Sequence, residues 1–229
     1  MKTIGIIGAM PEEVAILRDK LENMKEAHTG GIDVYTGVLH GKNIALCCCG
    51  MGKASAAAAT QLLISAFGAD AIINSGIAGN MTSLLTIGDV AISTTVINHD
   101  SENEMINQSY PYQYEFTADE AMVSAAARAC YEIGVKCATG RIATGDQFIG
   151  DTATKKRIAS MVAPLCVEME GAAIGHIAAK NDKPFVIIRS MSDDADEAGH
   201  EKLVEKHFDI TEYCQTASTI TELTVKNYA

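Results

Sequence analysis

Short apolar runs alternate with helical periodicities along the whole of this chain. Thr3-Ile4-Gly5-Ile6-Ile7-Gly8-Ala9-Met10 is a β-branched run ending in small residues, and Val14, Leu17 and Leu21 then recur at helical spacing. Pro11 with Glu12 and Glu13 behind it fits a helix start, because proline needs no amide partner there and acids favour the first turn. Val34 to Val38 and Asn43 to Cys49, separated by Leu39-His40-Gly41-Lys42, predict paired strands with a glycine turn. Gly50-Met51-Gly52-Lys53 opens an alanine-rich helix to about Phe67, Ala71 to Gly79 predicts a buried strand running into a glycine loop, and Asp89 to Ile97 supplies another strand.

His99 to Phe116 breaks the alternation: it is polar, rich in tyrosine, and long enough for a functional loop or lid. Glu120 to Tyr131 then predicts a helix, Lys136 to Ala143 a strand, Lys155 to Met161 a short helix, Gly171 to Lys180 a helix, Pro184 to Ser190 a strand, and Phe208 to Val225 a closing helix. Such alternation predicts an α/β fold, a three-layer sandwich around a central mixed, mostly parallel sheet. Ligands in such folds sit at the carboxyl ends of the strands, where Gly8, Gly50, Gly76 and Gly145 fall.

The 229 residues suit one domain over 1–229, and 48% hydrophobic with 21% charged residues is ordinary for a globular protein with a buried sheet. A net charge of −11 excludes a nucleic-acid or anionic-membrane surface and favours a neutral or cationic small molecule as partner. Seven cysteines, three of them consecutive at Cys47, Cys48 and Cys49, form no disulfide framework, since strand neighbours face opposite ways, and no CxxC spacing suggests zinc. A reducing compartment fits. The apolar run before Met10 is short for a signal peptide and no run approaches membrane-spanning length, so the expected location is cytoplasmic.

Several motifs fail on inspection. Gly5 to Ala9 lacks dinucleotide spacing; Cys47 stands where a P-loop needs its first glycine, and Ala54 where it needs a hydroxyl. His200-Glu201 begins like a zinc helix, but Val204 occupies the second ligand position and His207 lies too far on, so neither a metal nor a cofactor is expected. Asp193, Asp194, Asp196 and Glu197 lack EF-hand spacing and read as solvated loop acids, apart from Asp193, which follows a buried strand. His99-Asp100 after a strand is a weaker hint, hydrogen bonding being the ordinary role of a histidine there. No GxSxG elbow supports a serine nucleophile. Carboxylates remain: Glu13 in a first turn, Glu168 and Glu170 before a helix, and Asp193 after a strand. An acidic helix start accounts for Glu168 equally well. Acids on two sides of a sugar suit cleavage of a glycosidic bond.

Six segments in order, Ile4 to Met10 with Glu12-Glu13, Gly50-Met51-Gly52-Lys53, Asn74 to Gly79, Thr144 to Ile149, Val167 to Glu170 and Arg189 to Asp193, carry a specific likeness to a known family. It resembles the bacterial 5′-methylthioadenosine/S-adenosylhomocysteine nucleosidases of the nucleoside phosphorylase superfamily, over essentially its whole length. The resemblance implies a nucleoside phosphorylase-like fold, no cofactor, and hydrolysis of the N-glycosidic bond to adenine and the thioribose. It implies that Glu13 activates water and that Asp193 acts at adenine N7. Glu170 and the Met169 backbone would grip the ribose hydroxyls, Phe148 would stack on the base, and the Ile149 backbone would read its edge. Met10, Met51, Ile77, Ala78, Gly79, Glu168 and Ser192 complete the implied substrate pocket. A homodimer is also implied, in which the neighbouring subunit completes the pocket for the 5′ substituent. Departures fall at Ile77, where some relatives carry serine, at Met51, which replaces a smaller aliphatic residue, and in the tyrosine-rich stretch Ser109 to Tyr114.

Alternatives are a nucleoside phosphorylase, a hydrolase of another adenine nucleoside such as aminodeoxyfutalosine, and a non-catalytic purine-binding protein. A phosphorylase would want glycine and arginine where this chain has Met10-Pro11-Glu12-Glu13, since a carboxylate repels the phosphate dianion. A binding protein could dispense with Glu13 or Asp193, and both are present.

Overall fold

The computed structural model describes residues 2–205 and 209–229, without the side chains of 204 and 205. The sequence readings at Val204, His207 and Phe208 lie outside the described residues. In chain order the elements are β1 (Thr3–Gly8), α1 (Pro11–Asp19), β2 (Glu22–Thr29), β3 (Ile32–Leu39), β4 (Lys42–Cys48), α2 (Lys53–Phe67), β5 (Ala69–Asn80) and β6 (Val90–Asn98). Then come α3 (Asn103–Ile106), β7 (Glu115–Thr117), α4 (Glu120–Ile133), β8 (Cys137–Thr144), α5 (Thr152–Val162), β9 (Cys166–Glu168), α6 (Gly171–Lys180), β10 (Phe185–Asp193), α7 (Glu197–His200), one π-helical turn (Glu201–Glu205) and α8 (Thr211–Asn227).

Among the described residues ten strands form one mixed sheet flanked by helices. Its centre is parallel: β1 lies between β4 and β5, and β10 runs beside β5, with Ile6 opposite Leu46 and Ile73, and Val186 opposite Ile73. These strands are apolar almost throughout, as strands covered on both faces must be. On one face α2 and α6 pack over a cluster that includes Ile7, Ile72, Val96 and Phe185; on the other, α1, α4 and α8 cover Ile6, Ile73, Ile92 and Ile188. The sheet also curls. β10 pairs antiparallel with β6, β6 parallel with β8, β8 parallel with β9, and β9 returns to the far end of β5, so these five strands close a ring. The expected three-layer α/β arrangement is present, with this closure added.

Element ends follow local chemistry. Asp119 and Asp151 cap α4 and α5 by accepting from the amides of Met122 and Thr154. α1 stops at Asp19, so Leu21 lies beyond the helix although buried with its face. β2 escapes the apolar pattern because its Glu-Asn-Met-Lys-Glu-Ala-His-Thr run is largely exposed; pairing with β3 makes it a strand. β10 runs on to Asp193, which is therefore the last residue of the strand rather than one following it. The polar stretch from His99 holds α3 and β7, with Tyr110, Tyr112 and Tyr114 exposed. All seven cysteines are free thiols, and burial pushes Cys47 up to about 12, leaving it an unreactive hydrophobe. No helix among the described residues is long and apolar enough to cross a membrane.

Candidate active site

The carboxyl ends of β1, β5, β9 and β10 surround a cavity of about 330 Å³, within the range of small-molecule sites. All the residues singled out in the sequence line it: Glu13 and Asp193 with Met10, Met51, Ile77, Ala78, Gly79, Phe148, Ile149, Glu168, Met169, Glu170 and Ser192. Ala9, Gln147, Val167, Leu203 and Ile210, to which sequence reasoning had assigned no role, line it too, as does Arg189, which that reasoning left between positioning the ribose and pairing with Glu168. Nothing from the tyrosine-rich segment does, among the described residues.

Glu13 is 2% exposed. Because α1 begins immediately after β1, its carboxylate turns back on the β1 end, where one oxygen accepts from the amides of Ala9 and Met10 at 2.6 and 3.1 Å and the other from that of Ile77 at 3.1 Å. Burial raises its pKa against the opposing pull of Arg189 and these amides. Arg189 is 1% exposed and rises from β10 among three glutamates. Its Nη2 meets Glu168 Oε2, Glu170 Oε2 at 3.2 Å and Asn74 Oδ1 at 2.5 Å, while Nη1 lies 4.0 Å from Glu13 Oε1. Asn74 is itself oriented by donating to the Ile7 carbonyl at 2.8 Å.

Glu168 is not a solvated helix start. It is 7% exposed, and its two oxygens accept from Thr144 Oγ1, Arg189 and the amides of Glu170 and Gly171. Three of these four donors converge on Oε2, so Glu168 anchors Arg189 and the start of α6. Glu170 accepts from the Gly52 amide at 2.9 Å, and burial, opposed by Arg189 and reinforced by Glu168, raises its pKa to about 7. One guanidinium among three carboxylates leaves excess negative charge, and a proton held at Glu170 relieves it.

Gly76 makes this arrangement possible. A Cβ there would stand 2.0 Å from Arg189 Nη1 and 2.4 Å from Glu13 Oε1, so β5 lets both side chains pass only where it has none. Three residues further along β5, Gly79 pairs with Asp193. Asp193 is 3% exposed; its Oδ1 accepts from the Ala195 amide at 2.8 Å and its Oδ2 from Ser192 Oγ at 2.8 Å. Burial raises its pKa, those two donors lower it, and Asp194 and Asp196 raise it. The neighbouring acids are separately engaged: Asp194 with Asn80, Asp196 as cap of α7, and Glu197 with Thr152. Phe148 stands at the mouth, 46% exposed, with its ring edge-on to His200 at 5.7 Å.

The chain matches the phosphorylase superfamily over residues 3–226. It is similar to the 5′-methylthioadenosine/S-adenosylhomocysteine nucleosidase of Neisseria meningitidis, solved with methylthio-immucillin-A, at 34% identity and TM-score 0.91 over 99% of each chain. It is similar to the S-adenosylhomocysteine nucleosidase of Streptococcus pyogenes, solved with 5-methylthiotubericidin, at 30% identity and TM-score 0.92, covering 100% of this chain and 98% of that one. The futalosine hydrolase of Helicobacter pylori aligns at 28% identity and TM-score 0.88, covering 98% and 97%.

Proposed function

We propose, from the premise that this chain belongs to the phosphorylase superfamily and within it to the 5′-methylthioadenosine/S-adenosylhomocysteine nucleosidases, that it hydrolyses the N-glycosidic bond of both nucleosides, releasing adenine and the thioribose. The observation that carries the reading is the pair of buried acids at two positions along β5 inside one cavity, Glu13 beside Ile77 and Asp193 beside Gly79. Ile77 and Gly79 are separated by roughly 7 Å of strand. That spacing leaves room for a sugar and a water, as attack by water requires.

In this reading Glu13, held as an acceptor by three amides, takes a proton from water as its oxygen bonds to C1′. The C1′–N9 bond breaks and its electron pair goes to the base, which leaves as neutral adenine once Asp193 gives a proton to N7. General acid catalysis of this kind contributes about 10²–10⁴-fold. Ser192 fits the proton's movement. Its single hydroxyl hydrogen reaches either Asp193 Oδ2 at 2.8 Å or the Ala78 carbonyl at 3.3 Å, so it bonds Asp193 when that is ionised and turns to Ala78 when it is protonated. Glu170 and the Met169 backbone take the ribose hydroxyls, while Arg189, anchored by Glu168, keeps Glu13 and Glu170 apart. Phe148 stacks on the base, and Ile149 reads its edge through the backbone. Met10, Met51, Ile77, Ala78 and Gly79 close around sugar and 5′ group.

Water rather than phosphate is the attacking species in this reading because the charge of Arg189, the cation lining the cavity among the described residues, is neutralised by Glu168 and Glu170. A phosphate dianion would face the excess negative charge of these carboxylates. A second reading, hydrolysis of a futalosine-type nucleoside, keeps every role and changes only the 5′ group; the likeness to the Helicobacter pylori enzyme supports it. Residues 1–229 act in this reading as one domain, in the cytoplasm, and as a homodimer. Met51, 65% exposed at the mouth of the cavity, supports a covering partner there.

The test is purified protein with 5′-methylthioadenosine, with and without phosphate, followed by chromatography. Adenine and free methylthioribose in both tubes are expected. A sugar phosphate would make the chain a phosphorylase, and no adenine would reject the substrate.

A further inference from the structure

Three loops, those following β4, β6 and β8, meet at a carboxylate outside the cavity lining. Asp100 Oδ1 accepts from Lys53 Nζ at 2.6 Å, and its Oδ2 accepts from the Asp146 amide at 2.8 Å. Asp146 returns the contact, its Oδ1 accepting from the Lys53 amide at 2.8 Å and its Oδ2 lying 3.8 Å from Lys53 Nζ. One residue earlier on each of the three loops the seam continues. The Gly52 amide donates to Glu170, and the His99 ring lies so close to Gly145 that a Cβ there would meet Nε2 at 2.3 Å. His99 also donates its own amide to the Thr144 carbonyl at 2.9 Å. The ordinary reading of this histidine, a hydrogen-bonded ring at a strand end, does not describe it. Neither ring nitrogen has a partner among the described residues, and the ring is 3% exposed.

We infer that His99-Asp100 is a positioning pair, in which the His99 ring and the Asp100 carboxylate together hold the 145–150 loop and so set where Phe148 and Ile149 meet the base. This rests on the functional reading above and assigns to the base side of that site a support outside the cavity. The geometry favours the role. Asp146 lies two residues before Phe148, and the ring contact of Phe148 is an edge-on one with His200, so the backbone leading to it does much to determine its position. His99 sets the distance by packing on Gly145; Asp100 fixes the direction by bonding the next amide. Because the side chains of Asp100 and Lys53 are 15% and 21% exposed, their pairing is neither a screened surface contact nor a deeply buried one.

Asp100→Asn separates this role from general support. An asparagine has one acceptor oxygen, so its NH₂ must face either Lys53 or the Asp146 amide, both donors. Losing one charge-assisted bond of this kind corresponds to about tenfold in an equilibrium. The expected result is an adenine dissociation constant about tenfold weaker by calorimetry, methylthioribose binding within about twofold of wild type, and exchange of the Asp146 amide about tenfold faster by NMR. Lys53→Met, which spares the Asp100 bond to Asp146, should fall between Asp100→Asn and wild type. Unchanged adenine binding with unchanged exchange would overturn the inference, as would equal weakening of both products, the signature of a merely structural residue. Failure of wild-type protein to bind adenine would reject the functional reading instead, and the Asp146 exchange rate would still decide whether Asp100 holds the loop.

Discussion

Gly76→Ala adds one methyl group at the point where the Arg189 and Glu13 side chains cross a strand. That Cβ would lie 2.0 Å from Arg189 Nη1 and 2.4 Å from Glu13 Oε1, against about 3.5 Å for a relaxed contact. The guanidinium must therefore retreat by about 1.5 Å and the carboxylate by about 1 Å, if both keep to such contacts. Neither has space. Arg189 is bonded to Asn74, Glu168 and Glu170, and Glu13 to three amides, so the movement must break some of these bonds. Overpacking of a core costs about 1–3 kcal/mol, and loosening a buried ion pair adds to it, so about 3 kcal/mol of stability should be lost. For a chain of this size that lowers Tm by about 6–12 °C. Displacing a reacting group by about 1 Å costs about 10²-fold in rate, so kcat should fall by at least that factor at a temperature where the variant remains folded. Adenine release is followed by chromatography and unfolding by calorimetry. A variant with wild-type kcat and Tm would refute the picture of a rigid cluster whose geometry depends on a missing side chain.

Asp193→Asn should lower kcat by about 10²–10⁴-fold while leaving adenine affinity within a few-fold; normal turnover would remove Asp193 from the acid role. Glu170 titrates near 7 in the folded chain against an ordinary 4.5, so its proton stabilises the fold fully below about pH 4.5. That contribution, at most about 3 kcal/mol, is lost as pH rises through about 7, and raised Glu13 and Asp193 act in the same sense. Denaturant unfolding from pH 5 to 8 should therefore show falling stability that Glu170→Gln flattens; an identical slope in both proteins would count against a shared proton. Arg189→Met should destabilise by about 3–5 kcal/mol, since it strands Glu168 and Glu170 without a cation, and a smaller loss in urea unfolding would show that the carboxylates are protonated instead.

Much of this protein is written locally. The β-branched runs around Ile6, Ile73 and Ile187 carry their strand character in their composition, and Pro11-Glu12-Glu13 marks the start of α1 without reference to anything distant. Charge argued against nucleic acid, and the acids Glu13, Glu170 and Asp193 stood out because carboxylates flanking apolar runs are costly. β2 was illegible because its side chains are exposed and its strand form comes from β3. Only the tertiary structure decided that five strands close into a ring, bringing Glu168 from β9 against Arg189 from β10, and that Glu168 spends its oxygens on anchoring. Arg189 could be read only as positioning the ribose or pairing with Glu168, since the full part of a lone arginine in a strand emerges only when three glutamates surround it. The same holds for Gly76 and His99-Asp100. Periodicity and capping act over a few residues and are encoded there, whereas the pairing of buried charges acts through space and exists only once the chain has brought them together.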